Sequence, residues 1–196
     1  KNQFKPLNLK ERLGWKNKIL IVYSGSAEKW QNIDEIVLWF NELLQVNSTC
    51  CFCFFTKNVT HMQNVVSKVL PTDTFHIESF ESTLLNDALF ECDYGVLFRN
   101  ETLFNEVASP IKVKDYLLSG LPIIYKGKIG DYSLLEQLPN STIDSIEVIE
   151  GKALLSKRSS IQKYTLIKHS ADVFSLNKCA HSYSEIYEYI KKESNK

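Results

Sequence analysis

Glycine is scarce in this chain and poorly placed for a dinucleotide-binding protein. The 196 residues include seven glycines, and after Gly25 the next is Gly95. The G-x-G-x-x-G phosphate loop of nicotinamide and flavin folds is therefore absent. The G-x-S-x-G elbow of serine hydrolases is missing too, and no Cys/His pairing stands out as a nucleophile. The histidines (His61, His76, His169, His181) include no H-x-x-x-H pair, and Cys50, Cys51 and Cys53 lack a second pair of ligands at zinc spacing. No metal site is expected. No apolar run approaches the roughly 18–20 residues of a membrane span. Net charge is lacking as well: 23 basic and 23 acidic side chains cancel, which argues against a nucleic-acid surface driven by bulk charge. The five cysteines are odd in number, and Cys50, Cys51, Cys53 and Cys92 sit in or beside apolar segments, as buried reduced thiols do in a cytosolic protein. The Lys-Asn-Gln start is not that of a signal peptide, so the N-x-S/T sequons at Asn47, Asn58, Asn100 and Asn140 read as chance and a cytoplasmic setting is expected. Internal repeats and low-complexity linkers are absent.

What is present is an alternation of strand-like and helix-like segments. Residues 1–17 are polar, with Lys10, Glu11 and Arg12 and no strong period, and read as a lead-in segment outside the core. KILIVYS (18–24) is an apolar run of strand length, the kind buried on both faces of a parallel sheet. Gly25 and Ser26 then make a turn. Ile33, Ile36, Val37, Phe40, Leu43 and Leu44 predict a helix over 32–46 with Asn32 as N-cap. TCCFCFFT (49–56) is a second strand, Val59 to Val69 a helix stopped by Pro71, and 75–80 a third strand. A helix through Leu84, Leu85, Ala88 and Leu89 ends before Asp93. Tyr94–Phe98 and 122–125 are strands either side of a helix opening near Pro110. A helix over 132–138, a sixth strand at 146–149 and two C-terminal helices with a break near Phe174 complete the chain. In the last, Tyr183, Ile186, Tyr187 and Ile190 form a packing stripe. The pattern predicts an α/β fold over residues 18–196: a Rossmann-like, doubly wound, mostly parallel six-stranded sheet flanked by helices.

Residues 94–131, YGVLFRNETLFNEVASPIKVKDYLLSGLPIIYKGKIGD, carry the chemistry. The loop after the strand places Arg99, Asn105 and Ser109 just ahead of a helix start, with Lys112 in its first turn. Ligands of open α/β sheets bind outside the carboxyl ends of the strands, where helix N-termini favour anions. A cation, small hydroxyls and a helix start suit a phosphate-bearing ligand. Asp115, three residues after Lys112, shares its helical face, and a carboxylate there suits a sugar hydroxyl pair. Plainer readings stand beside these. Lys112 and Asp115 can be solvent-facing, Arg99 can bridge Asp93 or Glu101, and Ser109 and Pro110 can simply cap and open the helix. Gly120, Leu121 and Pro122 read as a helix C-terminal glycine and a strand entry. Gly127, Gly130 and Asp131 lie in the loop after the next strand, at the cleft edge.

The run ASPIKVKDYLLSGLPII resembles the donor-binding signature of retaining GT-B glycosyltransferases, especially family 4 enzymes of bacterial polysaccharide synthesis, which read roughly asPxKxxEYLaxGlPVI. GVLFRNETLFNEV before it, the IGD turn after it, YSGSAEKWQN and FSLNKCAHSYSEIYEYI extend the resemblance from residue 18 to about 190. Asp115 stands where the family has glutamate, and Val107 where many members have a second acid. In the first loop, the family's arginine and lysine positions fall on Ser26 and Gln31, with Lys29 a substitute cation. The resemblance implies a donor-binding half of a GT-B fold that holds a nucleotide-diphosphate sugar as substrate, with no cofactor and no metal. It implies site residues Gly25, Ser26, Lys29, Arg99, Asn105, Ser109, Pro110, Lys112, Asp115, Gly130 and Asp131. Ribose would meet Asp115, and phosphate would meet Lys112, Arg99 and helix N-terminal amides. The implied acceptor is a glycan or lipid-linked precursor, which places the enzyme at the inner face of the membrane without a transmembrane segment. A GT-B enzyme needs a second, acceptor-binding N-terminal domain, so this chain is expected to bind donor without transferring sugar alone. Two alternatives remain: a non-catalytic nucleotide or phospho-ligand module built on a degenerate GT-B domain, and half of a sugar-nucleotide 2-epimerase.

Overall fold

The computed structural model describes residues 4–100, 111–127 and 140–174, together with Leu135 and Leu138. Six strands form one parallel sheet in the order β3-β2-β1-β4-β5-β6: β1 Ile19–Ser24, β2 Cys50–Phe55, β3 Phe75–Glu78, β4 Tyr94–Phe98, β5 Ile123–Lys126 and β6 Thr142–Asp144. This is the doubly wound order that reverses between β1 and β4. Every residue of β1, β2 and β4 is buried, whereas the edge strands β3 and β6 are mostly half-buried. Central strands covered on both faces need apolar side chains at successive positions, which is why ILIVYS and CCFCFF do not alternate with polar residues.

The pleat sends neighbours to opposite cores. Leu20, Val22, Cys51 and Cys53 join one cluster with α4 (Ser82–Glu91), α5 (Ile111–Leu118) and α7 (Ser160–Val173). Ile19, Ile21, Tyr23, Phe52 and Phe54 join the other, under α2 (Ile33–Val46), α3 (Val59–Val66) and α6 (Ser145–Ile149). Cys50, Cys51, Cys53 and Cys92 are buried and unbridged. Burial pushes the Cys50 thiol up to about 12 and Cys51 to about 11, so neither is a reactive thiolate.

Two expectations are corrected. The lead-in segment is not outside the core: Leu9, on the short helix α1 (Leu9–Arg12), is fully buried and Trp15 nearly so. The Glu91 carboxylate at the end of α4 accepts the backbone N–H groups of Leu7, Asn8 and Leu9, and Lys10 pairs with buried Asp93 at 2.7 Å. Two large side chains in so short a stretch produce no period, so the sequence pattern is silent there. The sixth strand is Thr142–Asp144, and the segment expected to be that strand lies in α6. Asp144 decides the switch, because its side chain accepts the Ile146 N–H at 2.7 Å and caps the helix.

Asn32 sits at the N-cap position of α2 but in the left-handed region, and its side chain bonds Asn100, so the expected side-chain cap is not made. Other local readings hold. Gly120 ends α5 with φ 77°, donating to Leu117 while Leu121 donates to Tyr116, the paired bonds of a Schellman stop. Ser159 and Gln162 form a capping box at α7, which ends at Phe174. The helix expected over 132–138 lies largely, and the Tyr183 to Ile190 stripe wholly, outside the described residues.

Candidate functional site

The site lies where the strand order reverses, at the carboxyl ends of β1 and β4. Pairing of the two is recorded at Ile21↔Tyr94 and Val22↔Gly95. Beyond that point Tyr116 of α5 fills the gap: its hydroxyl accepts the Ser24 N–H at 2.8 Å and faces the Val96 carbonyl at 3.4 Å. The ring reaches this place because residue 95 has no side chain. A Cβ on Gly95 would lie 2.5 Å from the Tyr116 ring.

One helical turn earlier on the same helix, Lys112 reaches over the β1 turn. Its Nζ donates to Tyr23 Oη at 3.0 Å and to Gln31 Oε1 at 2.5 Å, and Tyr23 Oη donates to the Ser26 carbonyl at 2.6 Å. Gly25, at φ 148°, holds the turn open. An added Cβ would sit 2.5 Å from Lys112 Cε and Nζ, so a larger residue would displace the amine. Burial, with a smaller contribution from the positive charge of Arg99, brings the Lys112 amine down to about 7. Arg99 follows β4 directly, is half-buried, and has its own value lowered by burial. Burial raises the Tyr23 phenol, which stays neutral.

A cavity of about 350 Å³ opens beside the Gly25 turn, across the carboxyl ends of β1, β2 and β3. Phe55 and Phe80 meet edge-on at 4.9 Å in its wall, and Ser24, Ser26, Thr56 and Asn58 supply polar groups. A somewhat larger cavity of about 390 Å³ lies at the opposite ends of the strands, beside Lys10, Glu91 and Arg158, away from Lys112.

The structure thus brings together Gly25, Ser26, Arg99 and Lys112 from the residues singled out in the sequence. Asp115 lies one turn beyond Lys112, half-buried, with its carboxyl raised by burial. The backbone of Lys29 lies in a single 3-10 turn, Lys29–Gln31. Asn105, Ser109, Pro110, Gly130 and Asp131 lie outside the described residues. The plainer reading of Arg99 as a partner of Asp93 does not fit, because Asp93 lies at the other end of β4 and takes Lys10 and the N–H groups of Leu20 and Arg158. Sequence reasoning missed Tyr23 and Phe80, which look like ordinary strand residues, and noted Gln31 only as a position without charge. Among the described residues no cluster of His, Cys, Asp and Glu could hold a metal ion, and no helix is long and apolar enough to cross a membrane.

Comparison with solved structures defines the fold. WaaG, a glycosyltransferase involved in lipopolysaccharide biosynthesis, superposes with a TM-score of 0.59 at 14% identity, over 87% of this chain and 48% of that one. The trehalose-6-phosphate synthase OtsA gives 0.64 at 13% identity, over 97% and 47%. TarM, solved from S. aureus in complex with UDP, fondaparinux and a GlcNAc-glycerol, gives 0.62 at 7% identity, over 87% and 36%. No family model and no curated protein matches the chain. At these identities the likeness is one of fold: the described architecture is that of the Rossmann-like half of a GT-B fold. The chain spans less than half the length of these three structures.

Proposed function

We propose that this chain is the donor-binding domain of a glycosyltransferase and holds a nucleotide-diphosphate sugar at the β1/β4 reversal. The observation that carries this reading is the placement of Lys112 against the Gly25 turn, which borders a cavity with aromatic walls, with Arg99 near enough for its charge to act on the amine. The diphosphate lies against Lys112 and Arg99, the ribose reaches toward Asp115, and the base enters the cavity by Phe55 and Phe80. Departure of the nucleoside diphosphate needs its developing negative charge stabilised, and Arg99 with protonated Lys112, in a partly desolvated site, supply that without a metal. The retaining outcome, the family 4 relationship and a glycan or lipid-linked acceptor rest on the signature ASPIKVKDYLLSGLPII. Sugar transfer requires a second Rossmann-like domain facing this cleft, on the cytoplasmic side of the membrane, and the chain by itself binds donor without turnover. A similar E. coli trehalose-6-phosphate structure bound with UDP-2-fluoro glucose, and TarM in complex with UDP, support the reading.

The test is calorimetric titration with UDP, GDP and ADP, repeated on Lys112→Ala and Asp115→Ala. One nucleotide binds the wild type, and each substitution weakens it by roughly tenfold or more, as loss of a charge-assisted contact does. Absence of binding by all three contradicts the reading. A non-catalytic nucleotide module would bind equally well, and the longer protein's ability to transfer sugar separates the two.

A further inference from the structure

An amine held by two acceptors has one position left over. Lys112 Nζ donates to Tyr23 Oη and Gln31 Oε1, and the Tyr23 hydroxyl hydrogen is already committed to the Ser26 carbonyl. The tyrosine therefore offers the lysine only lone pairs. A neutral amine has two N–H groups and a lone pair, whereas an ammonium has three N–H groups. The Tyr23 and Gln31 oxygens satisfy the pair of N–H groups common to both forms. The remaining tetrahedral position holds a lone pair or a third N–H, depending on whether a proton is present.

The surroundings favour neither form strongly. Tyr23 on β1 is kept neutral by burial, and Gln31 has no charge. Arg99 at the end of β4 repels a second positive charge. Asp115 on the lysine's own helix lies a turn away with its carboxyl raised, and Glu35 of α2 is taken up by Lys126 of β5 at 2.5 Å. The amine is thus poised near neutrality, and an arriving phosphate is the anion that pulls a proton onto it.

We infer that Tyr23 and Gln31 are positioning residues that keep the Lys112 amine aimed at the ligand in both protonation states, so that a phosphorylated ligand is taken up together with one proton. The proton comes from solvent and goes onto Lys112 Nζ. The inference rests on the phosphate contact proposed above for Lys112.

Two titrations test it. In the first, heteronuclear NMR follows the Lys112 side chain through pH in the ligand-free chain. The wild type titrates near 7, and Gln31→Glu, which sets a carboxylate against the amine, titrates about one unit higher or more. Titration of wild-type Lys112 in the ordinary lysine range overturns the inference. In the second, UDP binding is measured calorimetrically in buffers of differing ionisation enthalpy at about pH 6 and about pH 8.5. Proton uptake is small at the lower pH and approaches one at the upper, and affinity falls by up to about tenfold per unit on the alkaline side. Lys112→Arg, whose guanidinium stays charged, loses this uptake, and titration of the UDP phosphate cancels in the comparison. Equal uptake by wild type and Lys112→Arg overturns the inference, as does a Tyr23→Phe protein whose affinity and pH profile match wild type. If Lys112 titrates near 7 yet UDP binds at no pH, the phosphate contact itself fails and the uptake falls with it.

Discussion

Tyr116 occupies the space that Gly95 leaves empty, and its hydroxyl takes over the Ser24 N–H where β1 and β4 part. A core side chain therefore also fixes the strand end that borders the pocket. Helix α5, which carries Lys112 and Asp115, is fixed to the sheet through it.

Tyr116→Phe should leave the Ser24 N–H buried without a partner and lower stability by about 1–3 kcal/mol, measured by urea unfolding. Gly95→Ala should cost a similar amount, roughly 1–3 kcal/mol, because the ring has to move to admit the methyl group. The two should combine non-additively, since both act through the same contact.

Stability should rise with pH above neutrality. The Lys112 amine sits near 7 in the folded chain and in the ordinary lysine range when unfolded. Between those values the unfolded chain binds more protons, so stability is gained as pH rises and lost as it falls toward 7. Lys163, brought down to about 8 chiefly by burial, adds a second contribution that begins higher. Lys112→Met should remove the rise between about 7 and about 8 and roughly halve its slope above that, as followed by thermal unfolding across the range.

Glu91→Gln should loosen the lead-in segment while leaving the sheet intact. The carboxylate holds three consecutive backbone N–H groups, and charge-assisted bonds of this kind are worth about 1.5–3 kcal/mol. Hydrogen exchange should accelerate at Leu7, Asn8 and Leu9, with little change in β1 and β2.

Phe80→Ala separates base recognition from phosphate recognition. If the base lies in the cavity by Phe55 and Phe80, UDP binding should weaken several-fold, corresponding to about 1 kcal/mol of lost aromatic contact. Pyrophosphate binding should not change. Equal weakening of both would place the phosphate in the cavity instead.

Much of the fold was legible because buried parallel strands announce themselves as unbroken apolar runs. ILIVYS, CCFCFF and YGVLF are covered on both faces and show as such runs. Thr142–Asp144, an edge strand with half-buried residues, carries no such mark, and its last residue, Asp144, caps the more apolar segment that follows as a helix. Arg99 and Lys112 were visible as cations at a strand end and a helix start. Their relation to Tyr23 and Gln31 was not, because those contacts join residues 81 and 89 positions apart in sequence. Leu9 and Trp15 were missed for want of a period, and Glu91 because a carboxylate that anchors backbone N–H groups looks like any surface acid.

The most direct measurement of donor binding at the β1/β4 reversal is an amide chemical-shift map of the chain during titration with UDP. Shifts centred on Gly25, Ser26, Thr56, Phe80, Arg99 and Lys112, and lost in Lys112→Ala, are the predicted result. Shifts centred on Lys16, Glu91 and Arg158 at the opposite ends of the strands, or no shifts with any nucleotide, would contradict it.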